Sequence, residues 1–398
     1  MNILMVAFHS HPSALVGGQR PTKFLKHLSK DHENTIDFVT VKDKYYEFLN
    51  QGSSGVNMTN VRIHRTNLTR RFLPIRDEGL VWFFPLLFKM LTLCLRNNYD
   101  VIYITGNPFL QFILLPFFKF FFRIPYVLDF RDPWVLSPYR TPRNSFYGYI
   151  IKRIEYFVVK NASAVINVTL QANNLFKRNY SKLPDERFHI IENGFDYEDF
   201  LNVENIDLKL KYGDALYICY AGKFSNFRSP EQFVKAIALY NSSRKYKKIN
   251  FIHIGKEEPP LKKLFNDFDE QESYICTGYV PYKKCLSFIS SSDFALLVSG
   301  GHPYEPTTKI FDYIALEKKI LGISPSKEAG FLSDIFSQYG NSIMSEDNYN
   351  LIFDAFRELD KLSKTSSHNL RSRFSRETQA TELDLVLKKS ISNYKKYE

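Results

Sequence analysis

The stretch YICYAGKFSNFRSPEQF, residues 217–233, decides how the chain is read. Its apolar run gives way to Gly222 and Lys223, and Arg228 comes five positions after Lys223, ahead of a helix expected near Pro230. A buried strand that passes through a glycine turn into a helix is the opening of an α/β unit. The run follows a polar stretch, Asp196 to Asp214. Beyond it, apolar strand candidates recur at Leu216 to Tyr220, Asn250 to Ile254, Ser273 to Cys276, Phe294 to Val298 and Lys319 to Ile323. Helix starts are expected near Pro259, Tyr282 and Thr308, so strand and helix alternate.

The same rhythm runs through the first half, with strand candidates at Ile3 to Phe8, Ile36 to Val41, Val101 to Ile104, Tyr126 to Phe130, Ala164 to Val168 and His189 to Ile191. Pro21 suits the first turn of a helix reaching Ser29. Two successive α/β domains follow, split near residue 200. The tail from Phe374 to Tyr397 sets Leu383, Val386, Leu387 and Ile391 among charges, the pattern of an amphipathic helix that caps one domain or braces both.

At 398 residues and 44% hydrophobic side chains the chain is long for one core, and disordered and collagen-like classes are excluded. Cys94, Cys219, Cys276 and Cys285 lack zinc-site spacing and are too few for a disulfide framework, so reduced cytoplasmic thiols are expected. The start, MNILMVAFHSH, has no secretory-signal pattern, and the cytoplasm is the expected location. The net charge is +11, yet polar, acidic and apolar residues interrupt the basic C-terminal run, so nucleic acid is not the expected partner.

FLQFILLPFFKFFFRIPYVL, residues 109–128, is broken by Pro116, Lys119 and Arg123, which argues against a bilayer span. A second aromatic patch, VWFFPLLFKMLTLCLRN, follows Arg70, Arg71 and Arg76. Rings beside cations fit a peripheral helix on the inner face of the cytoplasmic membrane, and ordinary burial against a sheet is the alternative.

Several residue groups carry chemistry. Lys223 and Arg228 suit a diphosphate, with helix N–H groups as further donors, unless their loop is merely solvent-facing. Gly17 and Gly18 follow the first strand and allow backbone to approach an anion or a sugar hydroxyl, although bare turns use the same pair. Lys309 and Asp312 share a face if a helix begins near Thr308, and Asp312 would accept from ribose or sugar hydroxyls. Asp129, Arg131 and Asp132 lie where a strand meets the turn at Pro133, a ligand edge in a parallel sheet or a structural Arg–Asp pair. His9 and His11 follow the first strand as acceptor-side bases or donors, with polar loop histidines as the alternative. No cluster has metal-ligand spacing, so neither a metal nor a cofactor is expected. No GxGxxG follows the first strand, which leaves a nicotinamide site without support.

Seven stretches in order resemble glycosyltransferase family 4, a retaining GT-B-fold family of bacterial surface-glycan enzymes. They are MNILMVAFHSHPSALVGGQRPTKFLKHLS, VLDFRDPW, SAVINVTLQANNLF, HIIENGFDYEDF, YAGKFSNFRSP, ICTGYVPYKKCLSFISSSDFALL and PTTKIFDYIALEKKILGI. The resemblance implies an acceptor-side Rossmann-like domain over 1–198, a nucleotide-sugar-binding one over 199–373 and a bracing helix over 374–398, with a ligand cleft between two parallel sheets. It implies transfer of a hexosyl or N-acetylhexosaminyl group from a nucleoside-diphosphate sugar to a glycan or lipid-linked acceptor, as in polysaccharide or lipopolysaccharide synthesis.

By the same resemblance, Lys223 and Arg228 match the basic pair beside the donor diphosphate, and Gly278, Tyr279 and Val280 match the loop near the base. Asp312 matches the second acid of a paired-acid motif, near ribose. Glu305 approximates the first, at seven positions' separation instead of eight. Gly17 and Gly18 match the N-terminal glycine loop. Asp129, Arg131 and Asp132 fall near an active-site histidine of many relatives, so that histidine's role does not carry over unchanged. Two other readings remain open: a non-hydrolysing sugar-nucleotide epimerase, which shares the fold, and a catalytically silent nucleotide-sugar-binding module.

Overall fold

The computed structural model describes residues 1–13, 16–46, 49, 59–69, 78–137, 146–225, 228–243, 245–302, 304, 307–326, 330–363 and 368–397. The chain divides into two compact units, one formed by residues 1–192 with 376–398 and the other by residues 193–375. The exit from the first unit therefore lies at Glu192 rather than at residue 198, and the return at Arg376 rather than at residue 374.

In the first unit the strands are β1 (Asn2–Ala7), β2 (Thr35–Val41), β3 (Val61–Thr66), β4 (Val101–Thr105), β5 (Tyr126–Phe130), β6 (Ala164–Asn167) and β7 (Phe188–Ile190). They form one parallel sheet in the order β3-β2-β1-β4-β5-β6-β7. Successive side chains point to opposite faces of a strand. Leu4 and Val6 of β1 accordingly join one core, while Ile3, Met5 and Ala7 join another. The helices are α1 (Val16–Leu28), α2 (Glu78–Arg96), α3 (Leu115–Phe122), α4 (Phe146–Asn161) and α5 (Leu170–Asn179). Residues of α2, α3, α4 and α5 fill the Leu4 side, whereas α1 and the C-terminal helix Arg376–Tyr397 fill the other.

The second unit carries β8 (Leu216–Tyr220), β9 (Ile249–His253), β10 (Tyr274–Cys276), β11 (Phe294–Val298), β12 (Lys319–Ser324) and β13 (Ser342–Glu346). Its parallel order is β10-β9-β8-β11-β12-β13. Its helices are α6 (Leu208–Tyr212), α7 (Glu231–Ser242), α8 (Pro259–Asp267), α9 (Tyr282–Ser291), α10 (Lys309–Ala315), α11 (Phe331–Gln338), α12 (Tyr349–Lys361) and α13 (His368–Arg373); the C-terminal helix of the first unit is α14. Each parallel sheet is thus flanked by helices on both faces, as such sheets require.

Two prolines sit inside helices, against the expectation that Pro21 opens one. Proline lacks the N–H that would bond the carbonyl four residues back. The Gly17 carbonyl that Pro21 leaves free takes a guanidinium N–H of Arg131 at 2.5 Å. The Val81 carbonyl freed by Pro85 takes the N–H and hydroxyl of Thr69, at 2.9 and 2.8 Å. Long-range donors therefore let α1 begin at Val16, five residues ahead of its proline.

Glu155 on α4 is buried beneath the turn after β5. Its carboxylate accepts from the Val135 N–H at 2.8 Å and from the Tyr180 hydroxyl. Burial pushes its pKa up to about 6 although both bonds oppose the rise. A carboxyl raised in the folded state adds stability below its ordinary pKa, and that contribution is lost as pH rises through about 6. The Glu155→Gln variant should lack this segment: between about pH 4 and pH 7, the wild type should lose roughly 2 kcal/mol relative to the variant. Denaturant titrations of both proteins across that range check it, and parallel profiles would contradict it.

Candidate functional site

In open parallel sheets ligands gather beyond the carboxyl ends of the strands, where the strand order reverses. In the second unit that point lies between β8 and β11. The loop after β8 delivers Gly222 and Lys223, and the segment after β11 leads into α10 with Lys309 and Asp312. A Cβ on Gly222 would lie 2.5 Å from the Tyr220 ring and 2.8 Å from Cε of Lys309, so only glycine lets these two segments meet.

Lys309 lies with its Nζ 5.5 Å from the centre of the Tyr220 ring. Burial, and next the positive charge of Arg228, lower its pKa below the ordinary lysine value, with Asp312 working the other way. Arg228 is half-buried, its N–H donating to the Ser225 carbonyl at 2.8 Å. Lys223 is exposed. Lys309 and Arg228 are thus held near enough to repel, and an anion would relieve that repulsion. Asp312 accepts from the Tyr282 hydroxyl at 2.8 Å.

The loop of Gly278, Tyr279 and Val280 follows β10. Gly278 has φ +69°, a conformation open to glycine, and pairs with Gly255 across an isolated bridge. Tyr279 is exposed and Val280 packs against the core. Glu305 lies outside the described residues, as do Arg70, Arg71 and Arg76.

A cavity of about 960 Å³ opens beside the Gly222–Phe224 loop, lined by Lys223, Ser229, Glu231, Lys256 and Glu258 among others. Gly222 and Lys223 line this cavity, whereas Lys309 and Asp312 are not among its lining residues.

In the first unit the corresponding edge gathers His9, His11, Gly17, Gly18, Arg131 and Asp132. Gly17 and Gly18 form the first turn of α1 rather than a separate loop. The His9 ring packs beside Gly17, and its Nε2 lies 3.6 Å from the Glu78 carboxylate at the start of α2. Burial lowers the His11 pKa, followed by the charge of nearby Arg65. Burial also lowers that of Arg131, while Asp132 and Asp129 partly restore it.

Asp129 is fully buried. It accepts two bonds from Arg20, at 2.8 and 3.0 Å, and one from the Tyr103 hydroxyl at 2.5 Å. The structure therefore engages Asp129 with Arg20, not with the neighbouring Arg131. Among the described residues no group of three His, Cys, Asp or Glu is arranged to hold a metal ion.

Residues 27–199 match the model of Glycosyltransferase Family 4. No curated protein matches the sequence. Among solved structures, a sucrose-phosphate synthase from Thermosynechococcus elongatus superposes with a TM-score of 0.72 at 14% identity, covering 99% of this chain and 100% of that one. HepE of Anabaena, solved with UDP, gives 0.70 at 15% identity over 98% and 100%. A UDP-GlcNAc 2-epimerase from Methanocaldococcus jannaschii gives 0.59 at 13% over 98% and 99%. The chain has the GT-B fold. Within it, residues 27–199 are similar to family 4.

On this GT-B scaffold the second unit holds a support that motif reading missed. His253, the last residue of β9, is fully buried, and its Nε2 lies 2.9 Å from the Gly222 carbonyl. A carbonyl only accepts, so Nε2 carries a proton, and Nδ1 lies 3.3 Å from the Tyr274 hydroxyl. Glu258 sits at the N-terminus of α8 without capping it. Its Oε1 instead accepts from the Phe224 N–H at 3.2 Å and lies 3.4 Å from His253 Nε2. These two side chains fix the backbone on both sides of Lys223. A polar pair at a strand's carboxyl end, in IHIGKEEP, was the available signal.

Two outcomes follow. Glu258→Ala should weaken binding of inorganic pyrophosphate about tenfold by loss of the Phe224 bond, while Glu258→Gln, which keeps an acceptor, should stay near wild type in calorimetry. Arg131→Met strands the Gly17 carbonyl and should destabilise by about 1–3 kcal/mol. Pro21→Ala restores an N–H and should help the Arg131→Met protein more than the wild type, as a double-mutant denaturation cycle would show.

Proposed function

We propose that the protein is a glycosyltransferase that binds a nucleoside-diphosphate sugar on its second unit and passes the sugar to an acceptor hydroxyl. The observation that carries this reading is the meeting of Gly222, Arg228 and Lys309 at the switch point of the second sheet, with Lys223 on the same loop. Bond cleavage leaves negative charge on the departing diphosphate, and cations held in place beforehand stabilise it without reorganising. Lys309 begins with a lowered pKa beside Arg228, so an arriving diphosphate strengthens its charged form as it binds.

Asp312, oriented by Tyr282, would accept from a ribose hydroxyl, and Gly278, Tyr279 and Val280 would flank the base. Glu305 is assigned to the donor sugar by its place in the motif alone. In the first unit Arg131, Asp132, His9 and His11 face the acceptor, with Glu78 orienting His9. Asp129 acts through Arg20 as a positioning residue.

The donor is read as a hexose or N-acetylhexosamine nucleotide and the acceptor as a surface-glycan or lipid-linked hydroxyl, with retention of configuration. Such an acceptor would bring the protein to the inner face of the cytoplasmic membrane as a peripheral enzyme of polysaccharide or lipopolysaccharide synthesis. No metal or cofactor is invoked, because side chains meet the diphosphate charge. Isomerisation of the donor is the second reading, favoured by the likeness in fold to a UDP-GlcNAc 2-epimerase.

Replacing Lys223 and Arg228 together by alanine should lower donor turnover at least a hundredfold, given what single preorganised donors contribute to charge stabilisation. Release of nucleoside diphosphate, followed by mass spectrometry, reads this out. Near-wild-type turnover would reject the diphosphate role.

A further inference from the structure

We propose that the outer face of α2, α3 and α4 is a docking surface for an anionic lipid bilayer. Every exposed phenylalanine among the described residues lies there: Phe84 and Phe88 on α2, Phe117, Phe120 and Phe121 on α3, and Phe146 and Phe157 on α4. Phe120 and Phe146 are 77% and 81% exposed, beyond what side chains at the rim of a core show. The three helices cover the same face of the first sheet. The short 3₁₀ turn Leu110–Leu114 packs against all three, and the Phe117 and Phe157 rings meet at 6.4 Å. The opposite face of that sheet is covered by α1 and α14 and, among the described residues, exposes no phenylalanine.

Charge decides between occupants. Arg96, Arg123, Lys152, Arg153 and Lys160 are exposed on or at the ends of these helices. Of the two carboxylates on the three helices, Glu155 is buried and only Glu78 is exposed. Two copies of the chain placed face to face would oppose cation to cation, so a second copy does not fit. A surface of anionic headgroups over hydrocarbon takes both components at once, the rings entering the interface and the cations staying among the headgroups.

The helices lie on the bilayer and do not cross it. The 19 residues of α2 are apolar enough to span one by length and composition. Its Trp82, Leu86, Met90 and Leu93, however, are packed in the core, and Trp82 Nε1 donates to Thr66 Oγ1 at 2.7 Å. Insertion would uncover all four and break that bond.

Co-sedimentation of the full chain with vesicles tests the proposal. One set is pure phosphatidylcholine, and the other contains about 30 mol% phosphatidylglycerol to supply the surface potential. The chain should pellet with the second set, should pellet much less with the first, and should be released by salt. Phe120→Ser with Phe121→Ser, which leaves the core untouched, should reduce the partition coefficient at least tenfold. Lys152→Glu with Arg153→Glu should abolish the preference for anionic vesicles, with thermal melts confirming that both variants fold. Failure to pellet with anionic vesicles at low salt overturns the proposal. So does unchanged binding by the phenylalanine pair, or self-association through this face without vesicle binding. Vesicle partition is read by pelleting and sugar transfer by the mass gained by an acceptor, so failure of one is distinguishable from failure of the other.

Discussion

Arg20 is the side chain on which the first unit turns. Its guanidinium, almost wholly buried, donates two bonds to Asp129 and one each to the carbonyls of Ile191 and Glu192, at 2.9 and 2.7 Å. Burial works against its charge, and the charge and hydrogen bonds of Asp129 outweigh that, so its pKa is raised. One cation thereby ties α1, the end of β5 and the backbone where the chain leaves the unit. Tyr103 on β4 completes the shell by donating to the same carboxylate. A buried pair of this kind demands both partners, because either alone is an uncompensated charge in a low-dielectric core.

The second unit solves a different problem by related means. Anion chemistry needs cations held in place before the ligand arrives, yet like charges repel. Glycine at 222 permits the approach of Lys309, the Ser225 carbonyl holds the Arg228 N–H, and His253 with Glu258 pins the backbone around Lys223. The result is a loop whose conformation is fixed from beneath while one of its cations, Lys223, faces solvent.

How much of this was legible follows from where the partners lie in the chain. The buried parallel strands read as continuous apolar runs, and β5, β8 and β11 were placed to the residue. The edge strands β3 and β13 were missed, since VRIHRT and SIMSE are half-exposed and break the apolar signal. The start of α1 was read too late because the Gly17 carbonyl that Pro21 leaves free is taken by Arg131, 114 residues downstream of Gly17. Lys223, Arg228, Lys309 and Asp312 were visible as residue types near strand ends. Arg20, His253, Glu258 and Tyr282 were not, because each acquires its role from a partner about 30 or more residues away that only the folded sheet brings near. The aromatic segments were readable as amphipathic, but only the structure separates Phe118, which is core, from Phe117, Phe120 and Phe121, which are not.

The central claim is that the second unit's cations serve transfer of a sugar from a nucleoside diphosphate. The most direct measurement incubates the wild-type protein with a panel of nucleoside-diphosphate hexoses and N-acetylhexosamines and a membrane-lipid extract as acceptor, then resolves the products by mass spectrometry. The account predicts one nucleoside diphosphate released for each hexosyl or N-acetylhexosaminyl mass gained by an acceptor. An isomerised donor with no gain in acceptor mass, or saturable donor binding with no turnover across the panel, would contradict it.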